Sequence, residues 1–145
     1  MSARRVKAIA VLAAIVAALV YLRDPPWMGS VTSGLRDWDY GVPGHVIRWT
    51  NGRASLFVPS SAKAVTIPMR SGFPAPGGGP VIVQVLVDGR FLATITLADP
   101  AEWVSHELPL GNRPTSRRFR RIDLHVNRVI QERLLGVMTE RPTIW

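Results

Sequence analysis

Val81-Ile82-Val83-Gln84-Val85-Leu86-Val87-Asp88-Gly89-Arg90-Phe91-Leu92-Ala93-Thr94-Ile95-Thr96-Leu97 decides the fold. Seven residues rich in β-branched side chains run into Asp-Gly, and a second alternating run follows. Asp-Gly favours a two-residue turn whose twist matches that of its flanking strands. The stretch therefore reads as an antiparallel hairpin of Val81–Val87 and Phe91–Leu97. Val81, Val83, Val85 and Val87 share one face by the period of two. Ile82 and Leu86 on the opposite face mark a central strand rather than an edge.

The same pattern continues outward in both directions. Strands are expected near Val46–Thr50, Arg53–Pro59, Ala64–Met69, Trp103–Leu108, Phe119–Val126 and Leu134–Thr139. Asn51-Gly52 offers a second hairpin turn between the first two. In Phe119–Val126, Ile122, Leu124 and Val126 point to a core, while Arg121, Asp123 and His125 point to solvent. Ser71–Pro80 (SGFPAPGGGP) reads as a loop. Eight short strands without an amphipathic helix between them indicate a mainly β chain, an antiparallel β-sandwich of jelly-roll kind.

The N-terminus is of another character. Ala8–Leu22 (AIAVLAAIVAALVYL) is uncharged and holds neither Gly nor Pro. Its fifteen residues would span about 22 Å as a helix, short of a bilayer core of roughly 30 Å. Val6 adds apolar length, and Lys7 and Arg23 can extend their charged heads to the two interfaces. The competing readings are a cleavable signal peptide and a buried soluble helix. No small-x-small cleavage pair lies beside the run, which favours an uncleaved transmembrane signal anchor. Arg4, Arg5, Lys7 and the amino terminus precede the run, so the N-terminus is expected inside and the β-domain outside the cytoplasm. The organisation expected is a basic cytoplasmic segment 1–7, an anchor 8–22, a Pro/Gly/Ser-rich linker 23–36, and a β-sandwich domain 37–145. The localisation expected is the cell membrane, single-pass.

Composition limits the chemistry. The chain has 145 residues, no cysteine, and a formal charge of +8 from 18 Lys+Arg against 10 Asp+Glu. About a hundred residues beyond the anchor suffice for a core without disulfides or metals. Thiol nucleophiles and cysteine-held zinc are excluded. The basic balance suits anionic head groups or acidic polymers, and a domain outside the cytoplasm meets little nucleic acid.

Few motifs carry chemistry. Gly77-Gly78-Gly79 leads into Pro80 and a strand, not into Lys-Ser/Thr and a helix, so it is no phosphate loop. His45, His106 and His125 are not spaced as a metal pair, and His106 is in phase with Val104 and Leu108 as a core residue. No serine sits in a Gly-x-Ser-x-Gly elbow. Asp37-Trp38-Asp39 could supply paired carboxylates for glycoside hydrolysis or calcium ligands, against a plain solvated strand entry. Arg117-Arg118-Phe119-Arg120-Arg121 is the densest basic stretch. It reads as a charged edge strand, or as a site for lipid phosphate, acidic glycan or an acidic partner. Of five tryptophans, Trp49 is expected in the core and Trp27 at a membrane interface. Trp38, Tyr40 and Trp103 are candidate platforms for sugar rings, with Arg118 and Arg120 as candidate polar ligands.

Tyr40-Gly41, Arg48-Trp49-Thr50, Arg53-Ala54, the run from Val81 to Arg90 ending Val-Asp-Gly-Arg, Trp103 and Leu135-Gly136-Val137 follow one another in a familiar order. Together they resemble the C-terminal β-sandwich domain of bacterial multi-pass, glycosyltransferase-like envelope membrane proteins. The likeness runs from Asp37 to Thr139. Arg133, Leu135 and Gly136 match its pattern, while Gln131 stands where an acidic residue is usual. The transferase portion is absent, so the resemblance implies an accessory domain that binds a glycan or docks onto a larger membrane enzyme.

The reading that results is a non-catalytic, membrane-anchored β-sandwich that binds saccharide or serves envelope glycan assembly. Its expected partners are membrane lipid through the helix and envelope saccharide. No cofactor, metal or nucleic acid is expected. One alternative is an interaction subunit that docks on a multi-pass membrane protein, for which the six alanines between Ala8 and Ala18 allow close helix packing. A glycan hydrolase using Asp37 or Asp39 is the other.

Overall fold

The Val81–Leu97 hairpin forms in the register its residues imply. A computed structural model describes residues 3–72, 79–112, 115–130 and 135–145. In it β4 (Val81–Val87) pairs antiparallel with β5 (Arg90–Leu97), Val81 opposite Leu97 and Val83 opposite Ile95. Asp88 and Gly89 take φ of 52° and 76°, the double positive φ that this turn demands. Val81, Val83, Val85 and Val87 are all buried. On its other side β4 pairs with β7 (Phe119–Val126), where Ile122, Leu124 and Val126 face the same core.

The remaining strands are β1 (Thr32–Leu35), β2 (Arg48–Pro59), β3 (Ala64–Ser71), β6 (Val104–Pro109), β8 (Val137–Thr139) and β9 (Thr143–Ile144). They make one nine-stranded antiparallel sheet, ordered β5-β4-β7-β2-β8-β3-β6, with β1 added to β2 and β9 to β3. The sheet curls into two leaves. Arg53–Pro59 of β2 pairs with β7 in one leaf, while Arg48 and Trp49 pair with β8 in the other. Val65, Ile67 and Met69 of β3 close the core from the second leaf.

This arrangement corrects several expectations. Asn51-Gly52 is not a turn: it lies within β2, where the strand changes leaves. Neighbours distant in the chain hold it there, with the Gly136 amide donating to Thr50 O at 2.6 Å and the Val137 amide to Thr50 Oγ1 at 2.9 Å. The two strands expected around it are therefore one, and β1 and β9 bring the total to nine. Segment 23–36 is more than a linker, because a 3-10 turn (Pro26–Ser30) and β1 occupy it. Gly34 permits β1 to cross β2, since its φ is +65° and a Cβ there would lie 1.9 Å from Arg53 O. The arginine stretch does not form an edge, because β7 lies between β4 and β2. His106 keeps its phase with Val104 and Leu108 but is exposed, since β6 is the outer strand of its leaf. Trp49 is half-buried on the outside of the second leaf, over Gly72. Most of the Ser71–Pro80 loop, and Gln131, Arg133 and Leu134, lie outside the described residues.

Helix α1 (Ala3–Arg23) precedes the sandwich, and no residue of it is buried. With the 3-10 turn the helical segment Ala3–Ser30 is long and apolar enough to cross a membrane. Helix α1 itself ends at Arg23, just before Pro25 and Pro26 remove amide donors and fix φ.

Candidate functional site

The entry to β2 and the exit from β8 place a group of aromatic and charged side chains together. Asp39 pairs with Ile47 as an isolated bridge, which closes the segment between them into a loop. The Gly41 amide donates to Asp39 Oδ1 at 2.8 Å and tightens that loop. Trp38, half-buried, has two guanidinium groups over its ring, Arg48 at 5.2 Å and Arg141 at 5.1 Å from the centroid. Arg48 is itself fixed, since its guanidinium donates to the carbonyls of Arg36 and Leu35. Cations at this range are attracted by the ring quadrupole.

A second unit stands beside the first. The His45 ring stacks on Trp103, centroids 4.9 Å apart and planes 23° apart. His45 Nδ1 is hydrogen-bonded to Glu140 Oε1, so Glu140 and Arg141, adjacent in the chain, each serve one unit. The Trp103 indole N–H has no acceptor among the described residues. Tyr40 is 72% exposed and presents an open ring at the edge of the group. A cleft of about 160 Å³, lined in part by Trp38, Arg48, Thr139, Glu140 and Pro142, opens between β1 and the β8–β9 end. It is small beside drug-sized pockets, which start at roughly 300 Å³, and it suits one ring of a larger ligand.

The five residues expected to bind a ligand do not share one place. Trp38, Tyr40 and Trp103 belong to the strand-entry group. Arg118 and Arg120 lie beside the other end of β2, where Arg120 pairs with Val58. Arg120 is 4% exposed. Its guanidinium donates to Asp88 Oδ2 at 3.0 Å and to the carbonyls of Leu110 and Gly111, so it is a structural residue with no free face for a ligand. Its partner across the strands is Val58, which turns its side chain toward the core end of the sandwich. Arg118 is exposed beside the exit of α1, where its amide donates to Asp24.

Sequence reasoning missed Arg48, Arg141 and Glu140, and sought His45 only as a metal ligand. Their signal was slight: a Glu-Arg pair directly after the last expected strand. His45 meets Glu140 across 95 residues of chain. A carboxylate-oriented imidazole is one half of a nucleophilic catalytic unit. Among the described residues, the His45 ring has Glu140 and Trp103 as neighbours, and no hydroxyl is hydrogen-bonded to it. No group of three or more His, Asp or Glu able to hold a metal occurs among the described residues. Asp37 and Asp39 are exposed beside an open depression that Trp49 and Leu135 also line.

No family model and no curated protein sequence matches the chain. Solved structures share its fold. A family two carbohydrate esterase from Clostridium thermocellum, in complex with cellohexaose, superposes with a TM-score of 0.50 at 16% identity, covering 79% of this chain and 31% of the esterase. The chain thus spans about a third of that enzyme's length. A family 35 carbohydrate binding module from the same organism superposes with a TM-score of 0.50 at 8% identity, covering 79% of this chain and 90% of the module.

Proposed function

We propose that this chain is a non-catalytic, saccharide-binding β-domain, held in the cell membrane by α1 with its N-terminus inside and its sandwich outside the cytoplasm. The observation that carries the reading is the strand-entry group, in which Trp38, Arg48 and Glu140 line a ring-sized cleft, Glu140 also holds the Trp103–His45 stack, and Tyr40 is exposed nearby in the chain. Flat apolar faces beside fixed charged donors and a carboxylate acceptor suit a sugar ring, which has an apolar face and a hydroxyl rim. The fold it shares with a carbohydrate binding module supports the reading. So does the resemblance to accessory sandwich domains of envelope glycan assembly.

A second reading has its own support. No residue of α1 is buried against the sandwich, so its alanine-rich surface is left for another helix. Small residues permit such close packing in lipid. The chain would then be an interaction subunit of a multi-pass membrane protein.

The test is an envelope-glycan array probed with the full chain in detergent micelles, followed by calorimetry on any hit with Tyr40→Ala. Binding that weakens about fivefold or more in the variant, the size of one stacking contact, supports the saccharide reading. A folded chain that binds no glycan, and co-purifies instead with a membrane protein, sinks it in favour of the second. A reporter fused after Trp145 and active only outside the cytoplasm tests the orientation.

A further inference from the structure

Helix α1 meets the sandwich at the end of β2 opposite the aromatic group. Arg23 donates to Ser116 Oγ at 3.2 Å, and the Arg118 amide donates to the Asp24 carboxylate. These two contacts set a short loop, Thr115 to Arg118, against the last turns of the helix. A groove of about 700 Å³ runs between them, with Ala17, Val20 and Tyr21 as its helix wall and Arg23, Asp24 and Arg118 beside them, the Asp24 carboxylate being taken up by the Arg118 amide. On the other side of the loop lies a recess of about 560 Å³, lined in part by Arg90, Arg117, Arg120 and Arg121. Arg120 and Arg121 are engaged by Asp88 and Asp123. Arg90, Arg117 and Arg118 are exposed and make no ion pair among the described residues.

An apolar wall joined to a mouth of two arginines and one carboxylate, net positive and flanked by Arg90 and Arg117, asks for a ligand both apolar and anionic. A free phosphate would leave Ala17, Val20 and Tyr21 unused, and a neutral sugar would leave the positive charge of the guanidinium groups unbalanced. We propose that this groove binds an anionic phospholipid. One acyl chain lies along Ala17, Val20 and Tyr21, and the phosphate sits between Arg23 and Arg118. Arg90 and Arg117 attract neighbouring anionic head groups. Guanidinium forks match phosphate oxygens in pairs. The inference rests on the membrane-anchoring part of the reading above and is independent of the saccharide part.

The experiment reconstitutes the full chain in nanodiscs of phosphatidylcholine, with or without phosphatidylglycerol, and counts by native mass spectrometry the lipid kept after mild extraction. Phosphatidylglycerol should be kept in preference. Each arginine near an anionic surface contributes about fivefold in affinity, so the pair Arg23→Gln and Arg118→Gln should cut retention on the order of twentyfold. Arg118→Lys keeps the charge and most of the lipid, which separates lost binding from lost folding. Arg53→Gln, an exposed arginine on the middle of β2, should change nothing. Equal retention of the two lipids, or a double variant that keeps phosphatidylglycerol as the parent does, overturns the proposal. So does full displacement by inorganic phosphate, which would mark a site for the bare anion. If the chain does not enter nanodiscs at all, the anchoring reading falls with it; if it enters without lipid preference, the lipid site alone falls.

Discussion

Arg120 Nε lies 3.0 Å from Asp88 Oδ2 and joins the turn of the β4–β5 hairpin to the chain leaving β6. The two ends of this pair are in different surroundings. The Arg120 side chain is 5% exposed and that of Asp88 is 47% exposed. Arg120 also donates to the carbonyls of Leu110 and Gly111 at the end of the core. Asp88 Oδ1 accepts from the Arg121 amide at 3.0 Å, so the aspartate holds the turn through two contacts.

Removal of Arg120 should therefore cost more than neutralisation of Asp88. Arg120→Ala leaves the Leu110 and Gly111 carbonyls without this donor and opens space beside Val58; about 2–4 kcal/mol is expected. Asp88→Asn keeps the turn geometry and loses only a solvent-screened charge, for about 1 kcal/mol or less. Urea midpoints of the two variants decide the matter. Equal losses would show that the ion pair, rather than the carbonyl contacts, carries the stability.

Gly52→Ala and Gly34→Ala should behave in opposite ways. A Cβ at Gly52 meets only Val129 Cγ1, at 3.4 Å, within a strand. The substitution should stay within about 0.5 kcal/mol of the parent, helped by a less flexible unfolded chain. At Gly34 the positive φ and the Arg53 carbonyl admit no Cβ, so β1 must separate from β2, at a cost of more than about 2 kcal/mol. Thermal unfolding of both variants checks this. A large loss at Gly52 would mean that Asn51-Gly52 is a turn after all.

The clamp on Trp38 can be measured by a double-mutant cycle with Trp38→Leu and Arg141→Gln. A cation 5.1 Å from the ring centroid at a half-exposed site should give a coupling of about 0.5–1 kcal/mol. A coupling near zero would show that Arg141 lies over the ring without holding it.

Gly72→Ala should displace Trp49, because a Cβ there would come within 2.3 Å of its ring. A loss of about 1–3 kcal/mol is expected for such overpacking, with a shift in tryptophan emission. Unchanged emission would place the ring elsewhere.

What could be read directly from the chain was whatever depends on near neighbours. The Asp88-Gly89 hairpin and the alternation in β4 and β7 need only a turn preference and a period of two, and both formed as read. Asn51-Gly52 carries the same turn preference. It is overruled because Thr50 is held by Gly136 and Val137, more than eighty residues away, and no local pattern records that contact. The site divides in the same way. Trp38, Tyr40 and Trp103 stand out by type, and they do gather at one end of the sandwich. The groups that orient Trp38 and the Trp103–His45 stack include Arg141 and Glu140 from the end of β8, and the type of Arg120 suggests a surface cation, whereas its burial depends on partners in other segments.

The strand shared by both leaves also sets an order of assembly. Its first half is completed by β8 and its second by β7, so neither leaf can close while those segments are still to be synthesised. The loops that must be closed are long, and folding of this kind waits on non-local pairing. Until β7 and β8 are in place, β2 lacks its pairing partners, and an unpaired strand is open to capture by other chains. Deletion of Val137–Thr139 would leave Arg48 and Trp49 of β2 without the strand that joins them to β3, so this short segment should govern the yield of soluble protein far more than its length would indicate.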